Sequence, residues 1–432
     1  MPQGTGRAGR RRIAVVGGGI SGLAAAYMLA DRHDVVLYES EPRLGGHART
    51  VLAGRRGDQP VDTGFIVFNR VNYPRLVNLF EDLEVPVAES DMSFAASIDG
   101  GRLEFGLRDL RAVFAQKRNL CDPRFWSMLR DVLRFNARAL AAADGPDLTI
   151  GDLLDRLGTG AWFRDYYLLP LAAAIWSTPA ERILDFPAQA LVRFFDNHAL
   201  LHHTGQHRWY TVRGGSAEYV RRLQAALVAK GVALRLAAPV ATVAREPRSV
   251  RLRVRGAEAE SFDQVVFATH ADDTLRLLSD VTGVERAALT AVRYQGNRAV
   301  LHADPSVMPV RRGAWASWNY AAPGRGPASE VELTYWMNSL QPIPQDDPLF
   351  VTLNPRRRID PALIYDETEF RHPVYDREAL AAQDTVRAIN GMHRTWFCGA
   401  WMGNGFHEDG VAAAAETVSA LERARPQTLA VR

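Results

Sequence analysis

Ile13 to Val16 is a run of four apolar residues with no polar break, the pattern of a strand buried on both faces of a parallel sheet. Gly17-Gly18-Gly19-Ile20-Ser21-Gly22 follows, and the Ala-rich stretch Leu23 to Leu29 then reads as a helix. Val35 to Glu39 is a second strand, so the chain opens on one βαβ unit. From about Phe65 to Leu201 the pattern changes to helical segments rich in aromatics and Arg. A hairpin interrupts them, with Ser93 to Ile98 and Arg102 to Phe105 flanking Asp99-Gly100-Gly101. Glycine punctuation returns near Arg213-Gly214-Gly215, and strands are predicted within Val232 to Val254 and over Gln264 to Ala268. A second excursion runs from about Ala291 to Arg377. The chain closes with a strand at Thr395 to Phe397, a glycine-spaced loop, and an Ala-rich helix from Val411 to about Leu421.

The glycine loop adds chemistry to this pattern. Gly17-x-Gly19-x-x-Gly22 between a strand and a helix has the context of a dinucleotide fingerprint: its glycines allow a tight turn, close approach of backbone to a pyrophosphate, and close helix packing. The free N–H groups at the helix start, beside Ser21, favour phosphate. Glu39, ending the second strand, is placed to accept hydrogen bonds from the adenosine ribose, and a carboxylate there disfavours a 2′-phosphate.

The next stretch, Glu39-x-x-x-Arg43-x-Gly45-Gly46-His47, resembles the flavin amine oxidase and carotenoid desaturase superfamily, whose signature after the acidic residue is an Arg and a Gly-Gly pair. The far end agrees. Trp396-Phe397-Cys398-Gly399-Ala400-Trp401 and Gly405-Phe406-His407-Glu408-Asp409-Gly410-Val411 resemble the closing flavin motif of that superfamily. Arg213-Gly214-Gly215-Ser216 resembles its second Gly-Gly element, and Pro239 to Val243 the strand whose backbone, at Val240, contacts adenine. The two excursions resemble a bacterial subgroup of NAD/FAD-binding proteins, through Tyr294 to His302 and Ala314 to Tyr320; some of its members are associated with modified fatty-acid biosynthesis. The resemblance implies non-covalent FAD held by Gly17, Gly19, Ser21, Gly22, Glu39, Arg43, Gly45, Gly46, His47, Val240, Gly399, Glu408, Gly410 and Val411. It implies an α/β fold in which a discontinuous Rossmann-type FAD-binding domain (12–64, 205–285, 388–425) carries an inserted α+β substrate domain (65–204, 286–387). The tails 1–11 and 426–432 are expected to be disordered.

His47 stands where amine oxidases usually have Arg, and the acidic residue common after the closing strand's glycine is absent. The segment from Gln295 to Leu301, where amine oxidases place a lysine near flavin N5, holds Asn297 and Arg298; the only lysines are Lys117 and Lys230. His47 and His407 are the candidates for moving a proton during C–H oxidation, against the plainer role of bonding cofactor or backbone. Trp162, Phe163, Tyr166, Tyr167, Trp176 and Trp336-Met337-Asn338 are candidates for an apolar channel, against ordinary core packing.

Composition narrows the partners. A net charge of +3 gives no general drive toward nucleic acid, and two cysteines, without ligand-spaced histidines, make neither a disulfide framework nor a metal site. Arg10-Arg11-Arg12 imitates a twin-arginine signal but runs directly into the glycine loop the fold needs, so a cytoplasmic enzyme is expected. The segment Leu107 to Leu140 interleaves Arg with apolar residues, which suits either a solvated basic face or peripheral membrane contact. The sequence therefore points to a hydride-transferring FAD enzyme acting on an apolar, fatty-acyl or other lipid substrate. An oxidase of small amines and a non-catalytic flavin-binding partner are the alternatives.

Overall fold

The computed structural model describes residues 9–145, 148–176, 183–202, 205–322, 324 and 332–424, without the side chain of Trp176. The expected tails lie outside these residues except for residues 9–11. Residues 10 and 11 depart from the expectation of disorder: Arg10 pairs with Asp34 at 2.8 Å, and Arg11 donates to the Leu421 carbonyl at 3.1 Å.

The apolar run becomes strand β1 (Arg12–Val16), central in a five-stranded parallel sheet. On one side lie β2 (Asp34–Tyr38) and Ala233–Arg235; on the other lie Gln264–Phe267 and Thr395–Phe397. Burial on both faces explains the unbroken apolar pattern. Helix α1 (Ile20–Leu29) starts three residues earlier than the pattern suggests, so the glycine loop delivers the chain straight into its first turn. It packs against the C-terminal helix His407–Arg423, which likewise starts earlier than expected, at His407 instead of Val411.

A second, seven-stranded sheet has the spatial order Ile364–Val374, Arg293–His302, Phe350–Leu353, Glu332–Trp336, Trp318–Ala322, Phe94–Ile98, Leu103–Gly106. Its last two strands are the expected hairpin, turned by Asp99, Gly100 and Gly101, all at positive φ. One face of this sheet presents Ala96, Tyr320, Leu333, Leu301 and Val351 to the helices Pro123–Ala142 and Ala188–Asn197, making a core distinct from that around β1. The helices Pro74–Asp82 and Arg377–Ile389 pack with the β1 core, through Leu76, Phe80, Ala382 and Val386. Among the described residues no helix is long and apolar enough to cross a membrane.

Candidate active site

Two glycine loops clasp each other at the end of β1. The Gly45 N–H donates to the Gly18 carbonyl at 2.8 Å, and Gly46, at φ +56°, stands so close that a Cβ on it would lie 3.2 Å from Gly19 Cα. The Arg43 guanidinium locks the second loop, donating to the carbonyls of Gly46 (3.1 Å) and Ala48 (3.3 Å). Glu39 accepts from the Gly18 N–H at 2.6 Å and from the Glu41 N–H at 2.9 Å. The first loop is thus shaped by the same carboxylate that faces the space beyond it.

That space is a cavity of about 790 Å³. Gly17, Gly19, Ser21, Glu39, Arg43, Gly45, Gly46, His47, Val240 and Gly399 all line it, as the motifs imply. It fits an elongated dinucleotide. A Cβ on Gly19 would meet nothing within 4 Å, so the loop leaves open room at the point where a helix N-terminus aims its N–H groups. Glu39 and Val240 share the cavity wall with Phe406 and His407 from the far end of the chain. Cys398 is fully buried in the β1 core, and burial pushes its thiol up to about 12.

Four expected cofactor contacts fall outside the cavity wall. Gly22 is needed for packing: a Cβ there would overlap the Gly17 carbonyl oxygen. Glu408 accepts from the N–H groups of Arg75 (3.1 Å) and Leu76 (2.9 Å), capping the helix Pro74–Asp82. The Gly410 N–H is spent inside its helix on the Phe406 carbonyl, and its bare Cα presses on α1, where a Cβ would come within 2.8 Å of Ser21 Oγ. Val411 is a core residue. For the last three, the early start of the closing helix sets them inside it and puts Phe406 and His407 at the cavity wall.

His47 and His407 both line the cavity, and burial keeps both neutral, lowering them to about 4 and about 3; His270 and Arg43 add to the effect on His47, and His47 adds to that on His407. His407 is occupied: its Nε2 is 3.0 Å from the Tyr219 hydroxyl and its ring stacks on Phe65 at 3.7 Å. His47 is not. Its Nε2 is buried without a hydrogen-bond partner among the described residues, although the rings of Phe370, His372 and His270 surround it at 5.0–5.7 Å. His270 and His372 escape the sequence reading; burial lowers them to about 4 and about 3. The position of His270 directly after the strand Gln264–Phe267 and Ala268-Thr269 was the available signal.

The aromatic wall also differs from expectation. Trp162, Phe163, Tyr166, Tyr167, Trp336, Met337 and Asn338 do not line the cavity; Phe163, for example, is fully buried and stacks on Tyr167 at 5.4 Å. Their place is taken by Phe94, Leu171, Ile175, Phe194, Trp318 and Tyr335. The second Gly-Gly element borders a separate cleft of about 490 Å³; the next residue, Ser216, is buried and donates to Asp62, whose carboxyl burial raises to about 6.

A family model described as flavin containing amine oxidoreductase matches residues 20–301, well over half of the chain, including the Gly45-Gly46 loop. The chain belongs to this family. As a flavin containing amine oxidoreductase it is an FAD-dependent oxidoreductase, and FAD is the cofactor its cavity accommodates. The FAD-dependent oxidoreductase dbaF of Emericella nidulans is 41% identical over 88 residues, 20% of this chain; the match spans only 18% of that relative's length. Cyclohexylamine oxidase from Brevibacterium oxydans IH-35A superimposes with a TM-score of 0.68 at 16% identity, over 96% of this chain and 100% of the other. A fatty acid isomerase from P. acnes, which produces CLA, does so at 0.66 and 15% identity, over 96% and 98%. At such identities these likenesses show the shared fold alone.

The role of Glu39 has a direct check. Removing its carboxylate takes away charge-assisted hydrogen bonds worth about 1.5–3 kcal/mol each. Glu39→Ala is therefore expected to weaken FAD binding at least about tenfold in a fluorescence titration of the apoprotein. An unchanged affinity would remove Glu39 from the cofactor site.

Proposed function

We propose that this flavin containing amine oxidoreductase takes a hydride from an apolar, acyl-chain-like lipid, a proton leaving the neighbouring carbon, and releases a desaturated product. The observation that carries the reading is the chemistry of the wall opposite the glycine loops. The strands Phe94–Ile98, Trp318–Ala322 and Glu332–Trp336 and the helices Leu169–Trp176 and Ala188–Asn197 bring Phe94, Trp318, Tyr335, Leu171, Ile175 and Phe194 to the cavity, and none carries a charge. Such a wall gains about 0.8 kcal/mol for each methylene it buries, whereas a charged amine against these six residues loses hydration that none of them replaces; the cavity's carboxylates, Glu39, Glu41, Asp273 and Glu369, stand on other segments.

The strand Arg293–His302 supports the same reading. Asn297 is buried and tied to His372 (2.9 Å) and Asn354 (2.8 Å), while Arg298 points outward to Glu367. Lys230 is held by Asp31 and the Tyr27 ring, and neither it nor Lys117 lines the cavity. Bound FAD supplies the acceptor for the electron pair. The chain's part is to hold the acyl carbons against the flavin, keep water out of the aromatic wall, and receive the proton on neutral His47.

Anaerobic mixing of the holoprotein with acyl lipids, polyenes and aliphatic amines decides the matter. Bleaching of the flavin by an acyl lipid or polyene is the expected result. Bleaching by amines alone would assign amine oxidation instead, and a flavin that nothing reduces would make the chain a flavin-binding partner without turnover.

A further inference from the structure

The helix Pro123–Ala142 has two apolar faces. Phe125, Met128, Phe135 and Ala139 face the core and are fully buried. On the opposite side, Trp126, Leu133 and Leu140 follow one another at seven-residue spacing, each about half exposed. Two helical turns separate successive members, so they form a straight line of about 21 Å along the solvent side. Leu120, 48% exposed, extends the line at its N-terminal end: the Trp126 indole N–H donates to the Leu120 carbonyl at 2.9 Å and fixes the two side by side. Leu110, 77% exposed, lies on the preceding helical turn, joined through Phe114, whose ring is 5.4 Å from that of Trp126. Single exposed leucines are ordinary surface, but a continuous row on a helix already packed through its other face is not.

Charge accompanies the row. Residues 107–142 hold eight cations against three carboxylates, an excess of five, larger than the +3 of the whole chain. Asp109, Asp122 and Asp131 are taken up by Arg108, Arg124 and Arg134. Arg111, Lys117, Arg118, Arg130 and Arg138 are exposed and have no carboxylate partner among the described residues. Arg130, Arg134 and Arg138 form their own row along one flank of the apolar line, at the four-residue spacing of a helix face.

We propose that this surface docks the protein on an anionic lipid bilayer, the helix Pro123–Ala142 lying in the plane of the headgroups with Trp126, Leu133 and Leu140 below them and the free cations among the phosphates. A large apolar row flanked by unpaired Arg matches that boundary in both polarity and charge. An aqueous protein partner of matching shape would need acidic groups flanking an apolar groove, whereas a bilayer offers both along its whole area. The inference is independent of which substrate the enzyme oxidises.

Co-sedimentation of the holoprotein with vesicles tests it. Vesicles of phosphatidylcholine containing phosphatidylserine are expected to retain the protein, pure phosphatidylcholine to retain it far less, and added salt to release it. Arg130→Gln with Arg138→Gln should weaken binding about fivefold per cation. Trp126→Gln with Leu133→Gln and Leu140→Gln should abolish it. Both variants change only exposed side chains outside the cavity, so retained flavin absorbance verifies that they fold. Absence of wild-type binding to the anionic vesicles, or equal binding by both variants, would overturn the proposal. So would a vesicle-free dimer that the apolar variant dissolves, since the row would then be the seat of a second copy.

Discussion

Gly22→Ala is expected to yield a chain that purifies without flavin and unfolds at lower temperature. A methyl group on Gly22 would overlap the Gly17 carbonyl oxygen, and that oxygen belongs to backbone fixed between β1 and α1. Gly17 cannot retreat, because a Cβ-sized space on its other side is already closed by the Ala268 carbonyl at 2.8 Å. The helix start must therefore lift from the sheet, at an overpacking cost of about 1–3 kcal/mol or more. The same movement spoils the row of N–H groups that faces the cofactor. Gly19→Ala provides the contrast, since its new methyl would point into open cavity. It should leave the melting temperature of the apoprotein unchanged while lowering FAD affinity. Flavin-to-protein absorbance ratios and apoprotein melting curves separate the two variants, and a flavin-replete Gly22→Ala protein would show that the third glycine is not structural.

His47→Ala is expected to slow flavin reduction by about 100-fold, the lower range for a positioned acid–base group. Its Nε2 is a buried imidazole nitrogen of the cavity wall without a partner among the described residues. His407→Phe, which preserves the stack on Phe65, should change the rate by no more than about threefold, or roughly 0.65 kcal/mol in barrier. The pH profile carries a second signature. Burial lowers His47 to about 4, so the free imidazole prevails above that value, and the rate should be level from roughly pH 5.5 to 8, with no inflection at the usual histidine pKa near 6.5. A normal rate in His47→Ala together with weaker FAD binding would reassign the residue to holding the cofactor.

Much of this arrangement is legible in the chain. The βαβ unit, the glycine loops and Glu39 can be read because strand burial, turn conformation and ribose binding each constrain residue type locally. The closing helix is harder. Its N-cap is Phe406, whose own N–H is satisfied by Asp409 three residues on at 2.9 Å, so no Ser, Thr or Asp marks the start. The helix therefore begins one turn before Val411, and Glu408, Gly410 and Val411 lie within it, off the cavity wall. The aromatic wall is beyond local pattern altogether. Trp318 lies opposite Tyr335 on one side and Phe94 on the other through sheet pairing, and one of those partners is more than 200 residues away in sequence. Nothing near Trp318 distinguishes it from Trp162, which packs elsewhere.

The closing helix also sets the order of events during synthesis. The loop that leads into α1 is translated more than 370 residues before the helix His407–Arg423 that packs on it, and the cavity is completed by Gly399 to His407. At about 5–20 residues per second, the ribosome spends tens of seconds or more between these segments. Throughout that interval the nascent nucleotide-binding half lacks its edge strand Thr395–Phe397 and one wall of the pocket. A polypeptide that stops before residue 395 would lack both that strand and that wall, so flavin capture is expected to await the closing segment.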